Sequence, residues 1–269
     1  MTLTDKQIQQ LAPEVRFHPE EKYFPANPMA FIRGSRFRHH RDGARDQGYN
    51  KATKKWKTTN SHNKAYYNIP AVFINSYKLH PDGRNRRPRD SKGGLHWNVF
   101  LQTHGRMKGS RQPTGSIPVF YYQRREGAFD LVSYWWFLGF NDGQVAFDMF
   151  NHQGDWEHVT LKVRIGKIRG VWFSRHGKPK YVERSKLKWS NKCVVVYCAK
   201  CTHASYEKTG SFRLGVDDTA DGGVKWRSWR NLLPLRDQPW RNFAGAWGEV
   251  GDLPETTGPL GPWQKRRKK

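Results

Sequence analysis

The second half of the chain is divided into short runs of β-branched and aromatic residues, and this division constrains the fold more than any other feature. From Leu95 onward, Gly, Asp, Asn and Lys separate these runs. Such spacing is typical of an all-β sandwich with a few helices in its connections. The runs are HWNVFLQTH, IPVFYYQRR, FDLVSYWWFLGF, WEHVTLKVRI, IRGVWFSRHG and KCVVVYCAK.

The remainder of the chain has fewer regular patterns. Residues 5–11 indicate a short helix, and residues 71–79 alternate like a strand. Residues 27–94 are polar, basic and poor in aliphatic side chains, and residues 263–269 form a basic tail. We therefore predict a mainly β fold with a single β-sandwich domain over residues 1–262. Short helices and a long, basic, loop-rich insertion region occupy its N-terminal half.

The charge of the chain is large and uneven. The 269 residues include 48 Lys and Arg against 23 Asp and Glu, which gives a net charge of +25. From Arg33 to Arg125 there are 21 basic and 4 acidic residues, whereas Glu126 to Glu157 contains 6 acids and no Lys or Arg. The basic part is expected to attract phosphate in nucleic acid or at an anionic membrane, and the acidic part a cation. Charge alone is equally compatible with solubility or with passage through a narrow export route.

The sequence gives little indication of targeting. Its first fifteen residues lack the basic start and apolar stretch of a signal peptide, and no run is long enough to span a bilayer. We expect a protein made in soluble form, which is exported or delivered, if at all, by a non-classical route. Cys193, Cys198 and Cys201 are odd in number and clustered, so we interpret Cys193 and Cys198 as strand residues rather than parts of a disulfide framework.

One acidic stretch, NHQGDWEHVTLKV over residues 151–163, stands out as a candidate site. Side chains alternate along a strand, so Asp155 and Glu157 are predicted on one face. Trp156 and His158 are predicted on the other face, toward the core.

Neighbouring residues extend this candidate site. His152 is predicted in the preceding loop, and a short hairpin over residues 143–151 brings in Asp142 from the end of the previous strand. Carboxylates with one imidazole suit Mg²⁺, Ca²⁺ or Mn²⁺. The alternative is that the acids face solvent or pair with Lys and Arg. The candidate metal ligands are Asp142, His152, Asp155 and Glu157.

Several segments resemble the Vps62-like (vacuolar protein sorting-associated 62) family. The resemblance is strongest over residues 11–25, 134–163 and 194–262, and it is poor over residues 27–94. The segments that carry it are LAPEVRFHPEEKYFP, HQGDWEHVTLKV, VVYCAKCTHASY, DDTADGGVKW and FAGAWGEVGDLPETTGPLGP.

The same core resembles the necrosis-inducing, Nep1-like toxins. His152, Asp155 and Glu157 keep the His-x-x-Asp-x-Glu spacing of their heptapeptide GHRHDWE, although Gln153-Gly154 stand where that motif has Arg-His. This resemblance implies a central β-sandwich with a divalent cation bound at these acids. It also implies recognition of sphingolipid sugar headgroups at a target membrane, and it makes Asp142 the expected acid after the aromatic strand.

Further residues are predicted to bind a ligand or to catalyse. His203 and Tyr206, in the segment THASY, are placed near the acids. Arg124 and Arg125 are further candidate ligand-binding residues. The alternative for His203 is a structural histidine with satisfied hydrogen bonds. His18 is predicted to be structural.

Three functions remain open from the sequence. The preferred one is a monomeric, cation-dependent protein that binds an anionic membrane surface or glycolipid headgroup, as a cytotoxic or secreted effector. The second is a metal-dependent hydrolase, most plausibly a nuclease, with His152 or His203 as general base. The third is a non-enzymatic nucleic-acid binder that uses the basic segments.

Overall fold

The computed structural model describes residues 2–39, 49–50, 55–56, 65–66, 99–103, 105–112, 115–143, 151–214, 217–243, 245–249 and 257–265. Only the backbone is described at 36–39, 49–50, 55–56, 65–66 and 99. The predicted strand at 71–79 and most of the basic insertion region lie outside the described residues.

Short helices begin and end the described chain. Helix α1 (Asp5–Leu11) confirms the sequence prediction, and it starts with a capping box in which Thr4 and Gln7 each bond the other's backbone N–H. Helix α2 spans Pro28–Arg33, with the Asn27 side chain as its cap, and helix α3 spans Pro262–Lys265. Three 3₁₀ turns cover Arg184–Lys186, Ser228–Asn231 and Leu235–Asp237.

Strands make up most of the described structure. In chain order they are β1 (Glu14–Phe17), β2 (Ser35–His39), β3 (Tyr49–Asn50), β4 (Lys55–Trp56), β5 (Ala65–Tyr66), β6 (Val99–Thr103), β7 (Val119–Glu126), β8 (Phe129–Asn141), β9 (His152–Arg164), β10 (Lys167–Phe173), β11 (Lys180–Glu183), β12 (Trp189–Ser190), β13 (Cys193–Cys198), β14 (Ser205–Tyr206), β15 (Gly210–Arg213), β16 (Asp217–Ala220), β17 (Val224–Arg227), β18 (Leu232–Pro234) and β19 (Ala246–Trp247).

Two sheets form the sandwich. The larger has the order β11-β10-β9-β8-β7-β18, and the smaller has the order β12-β13-β1-β17, with β14 also paired to β13. The long β8–β9 hairpin is paired from Asp130↔Val163 to Asn141↔His152. One apolar core contains residues from both sheets, among them Trp136, Leu161 and Val196. The predicted mainly β, single-domain sandwich is therefore confirmed.

The other face of the larger sheet carries a second, aromatic core. Phe137 and Trp156 from the sheet pack against Trp240 and Trp247 from the C-terminal region. The Trp156 and Trp247 rings meet edge to face, with centroids 5.2 Å apart. This layer explains why a chain of modest hydrophobic content is rich in Trp.

Some predicted boundaries differ from the observed ones. His152 is the first residue of β9 rather than a loop residue, because it pairs with Asn141 in register. The predicted division between residues 262 and 263 falls inside α3, where Gln264 is buried and Lys265 Nζ donates to the Trp156 carbonyl oxygen at 3.2 Å. The beginning of the basic tail is thus part of the domain.

Strand directions define two ends of the sandwich. Strand β9 begins at His152, while β1 and β13 run toward Glu21 and His203, and these residues meet at what we call the acidic end. At the opposite end, which we call the hairpin end, β9 turns into β10 at Ile165.

Candidate functional site

Asp155 and Glu157 lie at the start of β9, at the acidic end. Both share the sheet face of Val159, which points into the core between the two sheets. Trp156 packs in the aromatic core on the opposite face, and His158 stacks there on Trp135 with centroids 3.7 Å apart. Asp155 and Glu157 therefore lie on one face of β9 and Trp156 and His158 on the other, as side-chain alternation predicts.

His203 is the centre of the charged cluster. It follows β13 in a turn with φ 59°, and its side chain is completely buried. Its Nδ1 lies 3.0 Å from Asp155 Oδ2, and its Nε2 lies 3.6 Å from Glu21 Oε1. The imidazole therefore joins the larger sheet to the N-terminal segment through two carboxylates.

Glu21 is held in place by backbone groups. Its Oε1 accepts hydrogen bonds from the N–H groups of Lys22 and Tyr23, at 2.7 and 2.8 Å, and its Oε2 accepts one from Cys201 at 2.6 Å. Burial raises the pKa of Glu21, but His203 and these N–H groups outweigh burial and lower it overall. Glu21 is thus a buried, ionised partner.

The charges of the cluster follow from this geometry. Burial lowers the pKa of His203, but the Glu21 and Asp155 carboxylates raise it more strongly, to about 10. Asp155 is buried as well, yet its hydrogen bond to His203 keeps its pKa below the ordinary value. His203 is therefore an imidazolium between two carboxylates near neutral pH.

The surroundings of Glu157 favour its neutral form, whereas those of Asp155 favour the ionised form. Burial, followed by the nearby Asp155 charge, raises the pKa of Glu157 well above its ordinary value. Its Oε2 is buried and accepts no hydrogen bond from the residues that the structure describes. An unpaired polar oxygen of this kind is costly. Because burial and the Asp155 charge outweigh the nearby Lys265 and His203 charges, Glu157 is a neutral acid.

His152 presents a neutral imidazole at the same end. Burial lowers its pKa. Its Nδ1 lies 2.8 Å from the Gly154 carbonyl oxygen, and since a carbonyl only accepts, Nδ1 carries the hydrogen. Nε2 therefore keeps its lone pair, the form in which histidine binds metal ions.

The four predicted metal ligands do not converge in this structure. Over the described ranges, no group of three or more His, Cys, Asp and Glu side chains is arranged to hold a metal ion. Asp142 is half-buried, and its backbone N–H donates to the Cys201 carbonyl oxygen at 3.2 Å. That contact places Asp142 beside the turn that carries His203. Hard carboxylate oxygens, a neutral imidazole and the unsatisfied Glu157 oxygen fit a divalent cation in donor chemistry.

The predicted ligand residues Arg124 and Arg125 lie elsewhere. Arg124 pairs with Glu126 at 3.1 Å, and Arg125 pairs with Asp130 at 2.9 Å, both near the hairpin end. They are far from Asp155, because strands β8 and β9 place most of their length in between. Arg124 and Arg125 therefore do not belong to the Asp155 cluster.

Tyr206 belongs to a separate buried network. Its hydroxyl donates to Asp218 Oδ2 at 2.5 Å, and its ring stacks on Phe212. Asp218 also accepts from Thr202 at 2.5 Å and lies 2.7 Å from His176 Nε2. These bonds occupy the hydroxyl of Tyr206, which is therefore a structural residue rather than the predicted ligand contact.

The Asp218 network predicts a pH-dependent stability. Burial raises the pKa of Asp218, but the bonds from His176, Thr202 and Tyr206 lower it overall. A depressed pKa contributes stability above the unfolded value of about 3.9, and that contribution is lost as pH falls through the folded value.

We expect Asp218→Asn to destabilise the fold by about 2 to 3 kcal/mol near neutral pH. The difference from the parent should shrink on acidification below about pH 4, as measured by urea unfolding. The neighbouring Asp217→Asn is the matched control, since Asp217 is exposed and pairs with Arg213 at the surface. A pH-independent difference for Asp218→Asn would contradict the assigned ionisation.

Glu21 is the member of this charged cluster that the sequence prediction does not include. It lies in the segment HPEEKYFP, in which the sequence prediction names His18 as structural. His18 is indeed structural, because its Nδ1 accepts from the Glu20 N–H at 3.1 Å. The signal for Glu21 in the sequence is its place in HPEEKYFP, which belongs to one of the segments that resemble the Vps62-like family.

Comparison with known proteins confirms the Vps62 resemblance. The family model described as vacuolar protein sorting-associated protein 62 matches residues 127–231. The Saccharomyces cerevisiae protein of that name is 24% identical over 282 residues, which cover 88% of this chain and 58% of the yeast protein. The chain thus spans little more than half the length of this relative.

Solved structures of toxins of the necrosis-inducing type are also similar. Necrosis and Ethylene inducing Protein 2, from the causal agent of witches' broom disease of cocoa, has a TM-score of 0.40 and 12% identity, covering 87% of this chain and 76% of that one. NLPPya in complex with glucosamine has a TM-score of 0.39 and 11% identity, covering 88% and 76%. NLPPya in complex with mannosamine has a TM-score of 0.39 and 11% identity, covering 86% and 74%.

Proposed function

We propose that the chain binds a glycolipid headgroup at a membrane surface, in a divalent-cation-dependent way, through its acidic end. The observation that carries this proposal is the half-buried Glu157, whose Oε2 atom is buried and has no hydrogen-bond donor among the described residues. Beside it, ionised Asp155 shares the charge of His203 with Glu21. Lys265 and His203 both act to lower the pKa of Glu157, but burial and Asp155 outweigh them. A divalent cation held by Asp155 and Glu157 would let Glu157 ionise.

Each residue of the acidic end would have a separate role in the proposed site. Asp155, Glu157, His152 and Asp142 would hold Mg²⁺, Ca²⁺ or Mn²⁺, and the bound cation would coordinate headgroup hydroxyls or phosphate. His203 and Glu21 would fix the Asp155 carboxylate from the protein side. Binding to a target membrane would place the chain among cytotoxic or secreted effectors, a role that belongs to the same proposal.

The backbone around this end is firmly attached, which favours a preorganised site. The Gln153 side chain makes two hydrogen bonds to the backbone of Thr103 in strand β6. Its Nε2 donates to the Thr103 carbonyl oxygen and its Oε1 accepts from the Thr103 N–H, each at 2.9 Å. Fixed supports of this kind reduce the ordering cost of binding.

Glu157→Gln is the variant that tests the site. It removes an ionisable ligand without changing side-chain size, so the protein should fold and should be at least as stable in EDTA as the parent. We expect its affinity for MgCl₂, CaCl₂ or MnCl₂ alone, measured by titration calorimetry, to fall by more than about tenfold. Binding to phosphatidylcholine vesicles that contain a neutral glycolipid should be abolished by EDTA in the parent. In the variant this binding should be weak both with and without the divalent cation.

Glu126→Gln is the matched control, because Glu126 is an exposed carboxylate at the opposite end of the sandwich. Glucosamine and mannosamine serve as soluble headgroup probes. Equal cation affinity in the parent and Glu157→Gln proteins, or vesicle binding that ignores EDTA, would remove the cation from the mechanism.

A metal-dependent hydrolase is the second candidate. It is favoured by the contrast between neutral Glu157 and ionised Asp155, since neighbouring carboxyls with divergent pKa values suit general acid–base chemistry. His203 does not fit the predicted role of general base, because it is already protonated and buried in two ion pairs. Incubation with plasmid DNA and total RNA in Mg²⁺ tests this candidate, and absence of cleavage with each divalent ion excludes it.

A further inference from the structure

An isoleucine projects from the hairpin end of the larger sheet. The β9–β10 connection has two residues, Ile165 and Gly166, between the paired Arg164 and Lys167. Ile165 is 83% exposed, which makes it the most exposed large apolar side chain of the described residues.

This turn is also conformationally unfavourable for isoleucine. The φ angles of Ile165 and Gly166 are 51° and 66°, both in the left-handed region. Two-residue hairpin turns of this kind favour Asn-Gly, and a β-branched residue with positive φ is a true outlier. An apolar side chain that is both strained and exposed is more simply explained by a function than by folding.

Basic side chains surround the turn. They are exposed or half-buried, and they come from β9, β10 and the 3₁₀ turn that follows β11. Arg184 of that turn donates a hydrogen bond to the Ile168 carbonyl oxygen. Of the nearby acids, Glu126 and Asp130 are engaged by Arg124 and Arg125, and Glu183 is exposed at the end of β11. The surrounding cations are Lys162, Arg164, Lys167, Arg169, Arg184 and Lys186.

Aromatic rings lie beside these cations. Lys162 Nζ is 4.1 Å from the centroid of the Phe129 ring and 5.8 Å from that of Tyr181, which is 37% exposed. The Tyr181 ring packs on Trp172, with centroids 4.6 Å apart. An exposed aliphatic tip with cations and amphipathic rings behind it is the composition of a surface that enters a membrane interface.

We infer that the hairpin end is a docking surface for bilayers that contain anionic phospholipids. Ile165 enters the boundary of the hydrocarbon layer, and the surrounding Lys and Arg side chains contact the lipid phosphates. This surface goes beyond the proposed headgroup site, because it needs neither a cation nor the acidic end.

A bilayer fits these features better than nucleic acid does. A phosphodiester backbone offers no apolar region to an exposed isoleucine, whereas a lipid interface does. Nucleic-acid surfaces instead use aromatic faces that are open for base stacking, and here Lys162 covers the ring of Phe129.

The two ends of the sandwich face different surroundings. Asp155 and Ile165 are ten positions apart along β9 and its turn, which at strand spacing corresponds to about 33 Å. A chain docked by Ile165 therefore directs its acidic end away from that bilayer, toward solvent or a second surface.

Vesicle sedimentation with the full chain in EDTA tests the inference. The parent should bind phosphatidylcholine vesicles that contain phosphatidylserine, and should not bind phosphatidylcholine alone. Ile165→Asn should partition about tenfold more weakly, although Asn suits the turn and should leave the melting temperature equal or higher. The double variant Arg164→Gln, Lys167→Gln should lose about fivefold per removed charge.

Arg213→Gln is the charge control, because Arg213 is exposed on β15 and away from the hairpin end. Unchanged partitioning of Ile165→Asn would overturn the inference. So would binding to a short DNA duplex that is lost in the double variant while vesicle binding persists. Since EDTA is present throughout, these outcomes are independent of whether the acidic end binds a cation.

Discussion

Gly154→Ala is expected to destabilise the protein by more than about 3 kcal/mol and to abolish binding at the acidic end. Gly154 has φ 64°, a conformation that costs an L-residue about 1 to 2 kcal/mol. A Cβ atom there would lie 2.0 Å from the carbonyl oxygen of Trp247, which is backbone and cannot rotate away. Relief of that clash requires β9 to shift directly before Asp155.

Gly166→Ala separates the cost of the left-handed backbone conformation from the cost of the clash with Trp247. Gly166 has φ 66°, almost the same as Gly154, but a Cβ atom there would meet nothing within 4 Å. We expect Gly166→Ala to cost only the conformational part, about 1 to 2 kcal/mol, in urea unfolding. Similar losses for the two variants would show that the contact with Trp247 does not constrain this strand.

The importance of Gly154 shows where sequence reasoning succeeded and where it stopped. Alternation alone placed Asp155 and Glu157 opposite Trp156 and His158, because side-chain direction in a strand has a fixed period of two. The family motif gave the spacing of the acids. Neither source revealed that the residue before Asp155 lies against the Trp247 backbone, since that contact joins segments far apart in the chain.

Long-range contacts account for the remaining errors at the site. The pairing of His203 with Glu21 depends on the parallel alignment of β1 with β13, and no local pattern encodes that alignment. Arg124 and Arg125 are candidate ligand residues in the sequence, and strand direction places them at the hairpin end. Charge predicts that an anion is attracted, whereas topology decides which end attracts it.

The second large effect is expected for His203→Asn. Asparagine tolerates the positive φ at this position and removes the imidazolium charge. Asp155 and Glu21 then remain buried without their common counter-ion. We expect a loss of about 3 to 5 kcal/mol in urea unfolding in EDTA, the range typical of a broken buried ion pair.

His158→Asn is the matched control for this loss. His158 is buried with its pKa lowered to about 3, mainly by burial, so it is neutral and contributes ring packing on Trp135. Its replacement should cost about 1 to 2 kcal/mol, with no response to divalent ions. Equal losses for the two histidine variants would show that the charge of His203 contributes little.

Divalent cations connect the His203→Asn result to function. If the acidic end holds a cation through Asp155 and Glu157, saturating Mg²⁺ or Ca²⁺ should restore part of the stability lost by His203→Asn, because the cation replaces the missing positive charge. The same ions should restore nothing when Glu157→Gln is added. Destabilisation that no divalent ion relieves would make the cluster a structural ion-pair network, with His203 as the structural histidine that is the alternative in the sequence.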